Sequence, residues 1–389
     1  MVDLQGQYAK IQEQVDSHIL EVLKSAAYIN GPEVHGFQKE LETYLNVKHV
    51  IPCANGTDAL QIAMMGLGLQ PGDEVITADF TFAATVEVIA LLHLTPVLVD
   101  VEKDTFNMNI AALKKAITPK TKAIVPVHLF GQCANMEAVL EVAKEHNLFV
   151  IEDTAQAIGA NYTFKDGTKK KAGTIGIVGT TSFFPSKNLG CYGDGGAIFT
   201  NDDELAHTLR GIVNHGMYER YYHDVVGVNS RLDSIQAAVL RIKLPHLDAY
   251  CDARRKAARY YNNAFKNEKF IITPKMGNGC EFVCENCDCH VFHQYTLQIT
   301  NGKRNELHKH LLDNGIPNAI YYPVPLHSQK AYKDARYKEE HFKVTNELID
   351  TVISLPMHTE LDEEQLAFIT STIITVSYTH LTLPTIYSV

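Results

Sequence analysis

The feature that most constrains the fold is a regular alternation of short apolar runs and helical patterns across residues 47–200. The apolar runs lie at residues 96–101, 123–127, 148–151 and 196–200, and helical periodicity fills the segments between them, as in residues 136–145. Strands that alternate with helices form parallel sheets, because each return to the same edge needs a crossover. The sequence therefore predicts an α/β fold with a doubly wound, mostly parallel sheet and helices on both faces.

The length of 389 residues exceeds what one hydrophobic core usually serves, so we expect two domains. The alternation ends near residues 244–247, where a long charged helix and a shorter βα pattern follow. We predict a large domain over residues 1–245, with an N-terminal helical segment, and a small C-terminal domain over residues 246–376. Residues 377–389 contain no Asp, Glu, Lys or Arg and resemble translated adapter sequence, so we predict a non-native tail.

Composition argues against two classes of partner. The formal net charge is −10 and no basic stripe interleaves with aromatic residues, so nucleic-acid binding is not expected. No secretory leader and no apolar run of membrane-spanning length is recognisable, so the sequence predicts a cytoplasmic protein that does not enter a membrane.

Lys187 lies between a hydroxyl-rich segment, residues 181–182, and the glycine-rich run GCYGDGG at residues 190–196. Glycine lets backbone approach closely because it has no Cβ. That surrounding suits a lysine whose amine forms an imine with a cofactor aldehyde. The alternative is an ordinary surface lysine, which is the commoner situation.

Two further motifs supply groups that would accompany such a lysine. Asp153 follows the apolar run 148–151, so we expect it at the C-terminal end of a buried parallel strand, where open α/β sheets bind ligands. A carboxylate there can pair with the ring nitrogen of pyridoxal phosphate, or it can cap the next helix. Gly56 and Thr57 open a helical pattern, where their N–H groups and a hydroxyl can bind phosphate or form an ordinary cap.

The phosphate-binding helix start, the carboxylate and the lysine follow the chain order of a fold type I pyridoxal-phosphate enzyme. The sequence also resembles the nucleotide-sugar aminotransferases of the DegT/DnrJ/EryC1/StrS family over about residues 2–374. The resemblance rests on the motifs NGTDAL (55–60), FTFAAT (80–85), EDTAQ (152–156), SFFPSK (182–187), GDGG (193–196) and GVNSRLD (227–233).

That resemblance implies pyridoxal 5'-phosphate as cofactor, a nucleotide sugar with a keto group as substrate and glutamate as amino donor. Residues 55–62, 182–187, 189–205 and 226–233 are most similar to members that act on UDP-2-acetamido-2-deoxy-3-oxo-D-glucuronate. The implied product serves surface polysaccharide biosynthesis, such as that of lipopolysaccharide O-antigen. Another 3-keto sugar, or a 4-keto 6-deoxy sugar, is the alternative substrate.

The resemblance also assigns roles around the cofactor. Lys187 and Asp153 are the implied catalytic residues. Phe82 is expected to stack on the cofactor ring, for which an aromatic face is suited. Gln156 is expected to reach the ring hydroxyl, and Ser182 to bind the phosphate together with Gly56 and Thr57.

Further residues are implied at the subunit boundary and the substrate pocket. Asn229 is expected to bind the cofactor phosphate in the partner's site, which makes the protein a homodimer with shared active sites. Arg231 is expected to bind a carboxylate, either of a keto-uronic sugar or of glutamate, or to form a structural ion pair with Asp233. The residues expected to line the nucleotide-sugar pocket are Tyr321, Tyr322 and His327.

Other functions fit less well. A sugar dehydratase of the same family would carry histidine in place of Lys187. A non-catalytic regulator that binds pyridoxal phosphate would normally carry an additional interaction module. A nicotinamide-dependent oxidoreductase would show G-x-G-x-x-G after its first strand.

Four cysteines, Cys280, Cys284, Cys287 and Cys289, lie in one compact acidic segment followed by His290 and His293. Structural zinc sites usually pair two short knuckles across a longer loop. The spacing therefore favours an exposed thiol-rich loop over a zinc site, and no metal is expected.

Overall fold

The structure, a computed structural model, describes residues 1–276 and 288–379. Two helices open the chain, α1 (Leu4–Ser25) and α2 (Pro32–Leu45). The Asp3 carboxylate caps α1 by accepting the Gly6 N–H at 2.8 Å, and α2 begins with a proline, whose missing N–H has no partner to lose there.

The centre of the molecule is a seven-stranded sheet. Its spatial order is β1 (His49–Cys53), β9 (Gly196–Thr200), β8 (Val178–Ser182), β5 (Phe149–Asp153), β4 (Thr121–Val125), β2 (Glu74–Ala78) and β3 (Thr95–Val99). Only β9 runs against its neighbours, and the pairs from β8 to β3 are all parallel. The C-terminal ends of these parallel strands therefore meet at one edge of the sheet.

Helices connect and cover the strands. They are α3 (Gly56–Gly66), α4 (Ala84–Leu91), α5 (Ile110–Ala116), α6 (Met136–His146) and α7 (Asp203–Ile212). Along β4, Ile124 belongs to the apolar core on one face, whereas Ala123 and Val125 belong to the core on the other, as the alternation of side chains in a strand requires. Both faces of the sheet are buried, and the predicted doubly wound α/β class is confirmed.

A second region follows α8 (Ser234–Lys243). The long helix α9 (Leu247–Phe265) leads to an antiparallel sheet of β12 (Ile271–Ile272), β13 (Tyr295–Ile299) and β14 (Val352–Leu355). The helices α10 (Arg304–Asp313), α11 (Lys343–Thr351) and α12 (Glu363–Thr379) also lie in this region, which has an apolar core of its own. Leu348 of α11 and Val352 of β14 belong instead to the core against the large sheet. A separate core is what a small C-terminal domain requires, and the boundary near residue 246 stays a prediction.

Shorter elements lie between these. Two hairpins pair β6 (Asn161–Thr163) with β7 (Lys169–Lys171) and β10 (Met217–Glu219) with β11 (Tyr222–His223). Single 3-10 turns occupy Leu129–Gly131, Leu244–His246, Leu326–Ser328 and Glu339–His341. Over residues 1–276 and 288–379, no helix is both long and apolar enough to cross a membrane.

The thiol-rich segment falls largely outside the described residues, since Cys280, Cys284 and Cys287 are not among them. Cys289 is buried, and His290 stacks on Phe292 with ring centroids 3.8 Å apart. Within the described part of the chain, no group of His, Cys, Asp and Glu is arranged to hold a metal ion. Most of the suspected non-native tail, residues 380–389, also lies outside the described residues.

Candidate active site

Lys187 follows β8 in a tight turn, where its backbone N–H donates to the Phe184 carbonyl at 2.8 Å. The side chain is partly buried. Burial lowers the pKa of Lys187 to about 8, although the nearby Asp153 charge opposes the shift. Among the described residues, none accepts a hydrogen bond from the Lys187 amine. The amine is therefore available for chemistry.

The glycine-rich run after Lys187 is required by close backbone contacts. A methyl group on Gly190 would lie 2.4 Å from the Pro185 carbonyl oxygen, and one on Gly196 would lie 2.4 Å from the Asn55 carbonyl. Real side chains do not tolerate such contacts. Gly196 thus brings β9 against the start of α3, and Gly190 lets the lysine turn close on itself.

Asp153 ends β5 and is only 6% exposed. Its Oδ2 accepts the Thr85 hydroxyl at 2.8 Å, and its Oδ1 accepts the Ala155 N–H at 3.1 Å. Turns, not a helix, follow over residues 155–159, so the alternative of a helix cap does not describe this carboxylate. The Thr85 contact instead orients it at the C-terminal edge of the sheet.

The residue before Asp153, Glu152, holds the end of β5 in place through hydrogen bonds. This fully buried carboxylate accepts the backbone N–H groups of Gly173, Ile175 and Gly176 at 2.6–2.9 Å. His128 Nε2 lies 2.9 Å from Glu152 Oε2. Four donors satisfy the buried charge and hold the end of β5 rigidly, which keeps Asp153 in place.

The start of α3 has the features of an anion site. Asn55 caps the helix by accepting the Asp58 N–H at 2.8 Å, so the backbone N–H groups of Gly56 and Thr57 remain without a helical acceptor. A methyl group on Gly56 would lie 2.6 Å from Ser182 Cβ, which places the serine beside this helix start. These groups together suit a phosphate.

Aromatic residues line one side of the candidate site. The Phe82 side chain is 59% exposed although it is apolar, and its ring lies 6.5 Å from that of Tyr322. The Tyr322 hydroxyl accepts the Gln156 amide N–H at 3.2 Å, and Gln156 Oε1 accepts the Phe130 N–H at 2.8 Å. Gln156, expected to reach a cofactor hydroxyl, is thus bonded to protein groups on both ends of its amide.

The segment with Asn229 and Arg231 lies on the other side of the β1–α3 connection, where Ser230 Oγ accepts the Ala54 N–H at 3.0 Å. Asn229 is exposed. Arg231 donates to Asn214 Oδ1 at 3.3 Å, and no ion pair joins it to a carboxylate in the described part of the chain. Asp233, the alternative partner, instead caps α8 by accepting the Gln236 N–H at 2.9 Å.

Tyr321 and Tyr322 are partly buried and joined by a cis peptide bond. His327, expected beside them as a pocket residue, is buried and lies 2.7 Å from the Asp79 carboxylate. The structure therefore gives the two tyrosines access to the site but engages His327 with protein groups.

Three residues near the site were not assigned to it from the sequence. Thr85 orients Asp153, and it stood unremarked inside the motif at residues 80–85. Asn188, next to the lysine, donates to the Val291 carbonyl at 2.9 Å and so ties the lysine turn to the second region. Burial and then the charges of Lys187 and Arg254 lower the pKa of His293, which no local pattern would place near Lys187.

The donor set fits pyridoxal phosphate. It combines a helix start with free N–H groups and an adjacent serine, a buried carboxylate oriented by Thr85, an exposed aromatic ring and an unbonded lysine amine. These are the groups that a phosphate, a ring nitrogen, a ring face and an aldehyde require.

Comparison with known proteins agrees. The DegT/DnrJ/EryC1/StrS aminotransferase family model matches residues 9–374. The UDP-2-acetamido-2-deoxy-3-oxo-D-glucuronate aminotransferase of Pseudomonas aeruginosa is 45% identical over 95% of this chain and 97% of its own, and a pleiotropic regulatory protein of Geobacillus stearothermophilus is 45% identical over 95% and 96%. The crystal structure of DesV from S. venezuelae in complex with a ketimine intermediate superposes with a TM-score of 0.90 at 37% identity, covering 97% of each chain.

The chain belongs to the DegT/DnrJ/EryC1/StrS aminotransferase family. It is a sugar aminotransferase, and its cofactor is pyridoxal phosphate. The expected family and cofactor are thereby confirmed, whereas the roles of individual residues and the identity of the sugar stay predictions.

Proposed function

We propose that the protein transfers the amino group of glutamate to the keto group of UDP-2-acetamido-2-deoxy-3-oxo-D-glucuronate, in the biosynthesis of a surface polysaccharide such as O-antigen. The observation that carries the proposal is the Lys187 amine, with its lowered pKa, its proximity to Asp153 and no hydrogen-bond acceptor among the described residues. Bound pyridoxal phosphate supplies an aldehyde and an electron-withdrawing ring.

Lys187 acts as the proton carrier in both halves of the reaction. An amine with a pKa of about 8 is partly unprotonated near neutral pH, so its Nζ can remove the proton from the glutamate α-carbon. In the second half the protonated amine donates a proton to the sugar carbon that receives the nitrogen, because this former keto carbon carries no hydrogen of its own. Asp153 holds a proton on the ring nitrogen, and Thr85 keeps the carboxylate aligned for it.

The other residues bind and orient. Gly56, Thr57 and Ser182 hold the phosphate at the α3 start, and Phe82 covers the ring face. Tyr321 and Tyr322 offer flat faces with polar tips to the nucleotide sugar. Gln156 fixes the Tyr322 hydroxyl and lies within the same wall.

The subunit partner supplies Asn229 and Arg231 in this proposal. The exposure of Asn229 and the lack of a carboxylate on Arg231 in the described part of the chain support a role outside their own subunit. A planar guanidinium suits the C6 carboxylate of a uronic acid. The name of the Pseudomonas relative supports the same sugar.

A panel of keto nucleotide sugars tests the proposal. Each sugar is added to the pyridoxamine phosphate form of the enzyme, and the loss of absorbance of the pyridoxamine cofactor is followed. The 3-keto glucuronate should react fastest, and Arg231→Ala should weaken its binding by about 2–5 kcal/mol while leaving a neutral 6-hydroxymethyl analogue unaffected. Preference of the wild type for a 4-keto 6-deoxy sugar would replace the proposed substrate. Equal loss in the glutamate half-reaction would assign Arg231 to the donor instead.

Subunit mixing tests the shared site. Inactive Lys187→Ala subunits mixed with inactive Asn229→Ala, Arg231→Ala subunits should regain activity, because one site of each mixed dimer has both intact halves. Demonstrated mixed dimers without recovery would contradict it.

A further inference from the structure

A buried pair of ionisable residues joins the central sheet to the segment that carries Tyr321 and Tyr322. Asp79, which directly follows β2, is fully buried, and its Oδ2 lies 2.7 Å from His327 Nδ1. Its Oδ1 accepts the His327 backbone N–H at 2.7 Å, and its carbonyl accepts the Leu326 N–H at 3.3 Å. Asp79 therefore holds both the side chain and the backbone of this segment.

The His327 ring is fixed on its remaining sides. Its Nε2 lies 3.3 Å from Glu339 Oε2, and its face stacks on Phe342 with centroids 4.3 Å apart. Both ring nitrogens thus face carboxylates, which only accept hydrogen bonds, so a doubly protonated ring satisfies both. Burial disfavours the charged ring, but the hydrogen bond and charge of Asp79 raise the pKa of His327 above its ordinary value.

The pair supports the aromatic wall of the site. Phe80, the next residue after Asp79, packs edge-on against Tyr322 with ring centroids 5.9 Å apart. Phe82 lies 6.5 Å from the same ring. Tyr322 therefore packs against the chain that follows Asp79, and it belongs to the segment that Asp79 holds through His327.

We propose that Asp79 is a positioning residue for the nucleotide-sugar half-reaction, and that its ion pair with His327 holds Tyr321 and Tyr322 where the sugar binds. The inference rests on the proposed function. Lys187 follows β8 and Asp153 ends β5, and among the described residues no hydrogen bond joins either of them to Asp79 or His327. Loss of Asp79 should therefore weaken the sugar half-reaction and spare the glutamate half-reaction.

The pair also predicts a pH dependence of sugar binding. A raised pKa on folding means that the stabilisation is complete at low pH and is lost as the pH rises through the pKa of folded His327. The KM for the sugar should rise on that alkaline side. The ionisable groups near the pair on the packed elements are Glu339, Asp100 and Tyr337, and His341 lies against Phe342 beside them.

Two substitutions separate geometry from charge. Asp79→Ala removes both contacts and should raise the KM for the keto sugar at least about tenfold, with the glutamate half-reaction within about twofold of the wild type. Asp79→Asn keeps an oxygen that accepts the His327 backbone N–H, and its amide N–H can donate to Nδ1 of an unprotonated His327 ring. It should hold the sugar KM within about threefold of the wild type and move the alkaline rise to lower pH.

A binding measurement and a control complete the test. UDP-N-acetylglucosamine, which has no keto group to react, should bind the Asp79→Ala holoenzyme more weakly in calorimetry. Glu339→Gln alters the exposed partner of the same ring and should change the KM by no more than about twofold.

Equal losses in both half-reactions of Asp79→Ala would overturn the inference, as would unchanged sugar kinetics. If Asp79→Ala does not fold, a wild-type pH profile in Asp79→Asn overturns it. Failure of the proposed function looks different, because the wild type itself would then fail to react with the 3-keto glucuronate sugar.

Discussion

Lys187 and Lys243 both lie next to the glycine-rich loop at residues 190–196 and have nearly the same pKa, but their surroundings differ. Burial lowers the pKa of both Lys187 and Lys243 to about 8. Lys187 is partly accessible, and its amine has no acceptor among the described residues. Lys243 is only 1% exposed, donates to the Gly190 carbonyl at 2.9 Å and lies 4.4 Å from the centre of the Tyr192 ring.

The difference shows that a lowered pKa does not by itself mark a reactive lysine. Lys243 satisfies its amine with a carbonyl and an aromatic face inside the packing of α8, so it stabilises the loop. Lys187 ends in an open site beside an oriented carboxylate and a helix start that suits phosphate. Access and the neighbouring groups, not acidity, distinguish the two.

Replacing Lys187 is expected to have the largest effect. Lys187→Ala removes the proton carrier and should lower turnover by at least about 10²–10⁴-fold, with circular dichroism unchanged. Borohydride reduction of the wild-type holoenzyme should label Lys187 alone, as read by peptide mass analysis. Label on Lys243 would show that Lys243, and not Lys187, forms the imine with the cofactor.

Asp153→Asn tests the carboxylate that accompanies Lys187 and has no counterpart near Lys243. The amide preserves size but cannot hold the ring proton by charge, so turnover should fall by about 10²–10³-fold while cofactor absorbance shows that binding persists. Near-normal turnover in a folded, loaded variant would remove Asp153 from the chemistry.

Thr85→Val tests the Asp153 carboxylate indirectly, through the residue that orients it. The change removes the hydroxyl that donates to Asp153 and keeps the shape of the side chain, so turnover should fall about tenfold. The pH–rate profile should change with it, because the carboxylate that is expected to face the ring nitrogen loses the hydroxyl that aligns it. A loss of thermal stability without any change in the pH profile would indicate a purely structural role.

Lys243→Met should have the smallest effect on catalysis, with turnover within about twofold of the wild type. Its effect is expected in stability. A lysine whose pKa is lowered on folding binds its proton less well in the folded state, so its contribution to stability rises with pH between about 8 and 10.5.

Urea titrations across that pH window measure the effect. The free energy of unfolding of the wild type minus that of Lys243→Met should increase as the pH rises. A flat difference would mean that Lys243 keeps its proton as easily in the folded chain as in the unfolded one. A large loss of turnover at constant stability would give Lys243 a catalytic part.

Much of the candidate site follows local rules that a sequence carries. Asn55, Gly56 and Thr57 form a helix start because capping depends on residues within one turn. Asp153 falls at a strand end because an apolar run and a carboxylate mark that position. The glycines after Lys187 indicate close backbone contact, and Gly190 and Gly196 have it. Interactions over a few residues are enough to decide each of these.

The tertiary structure alone decided which distant groups meet. Thr85 reaches Asp153 across 68 residues, and Asp79 reaches His327 across 248. In the sequence His327 suits a pocket wall, and Lys243 has the place of an ordinary basic residue in the last turn of α8. Burial is set by what the rest of the chain packs over a residue, which depends on contacts with no local pattern. The sequence by itself therefore predicted the sheet, the family and the candidate imine lysine. Packing decided which of two lysines with a lowered pKa stays accessible and which histidine is buried against Asp79.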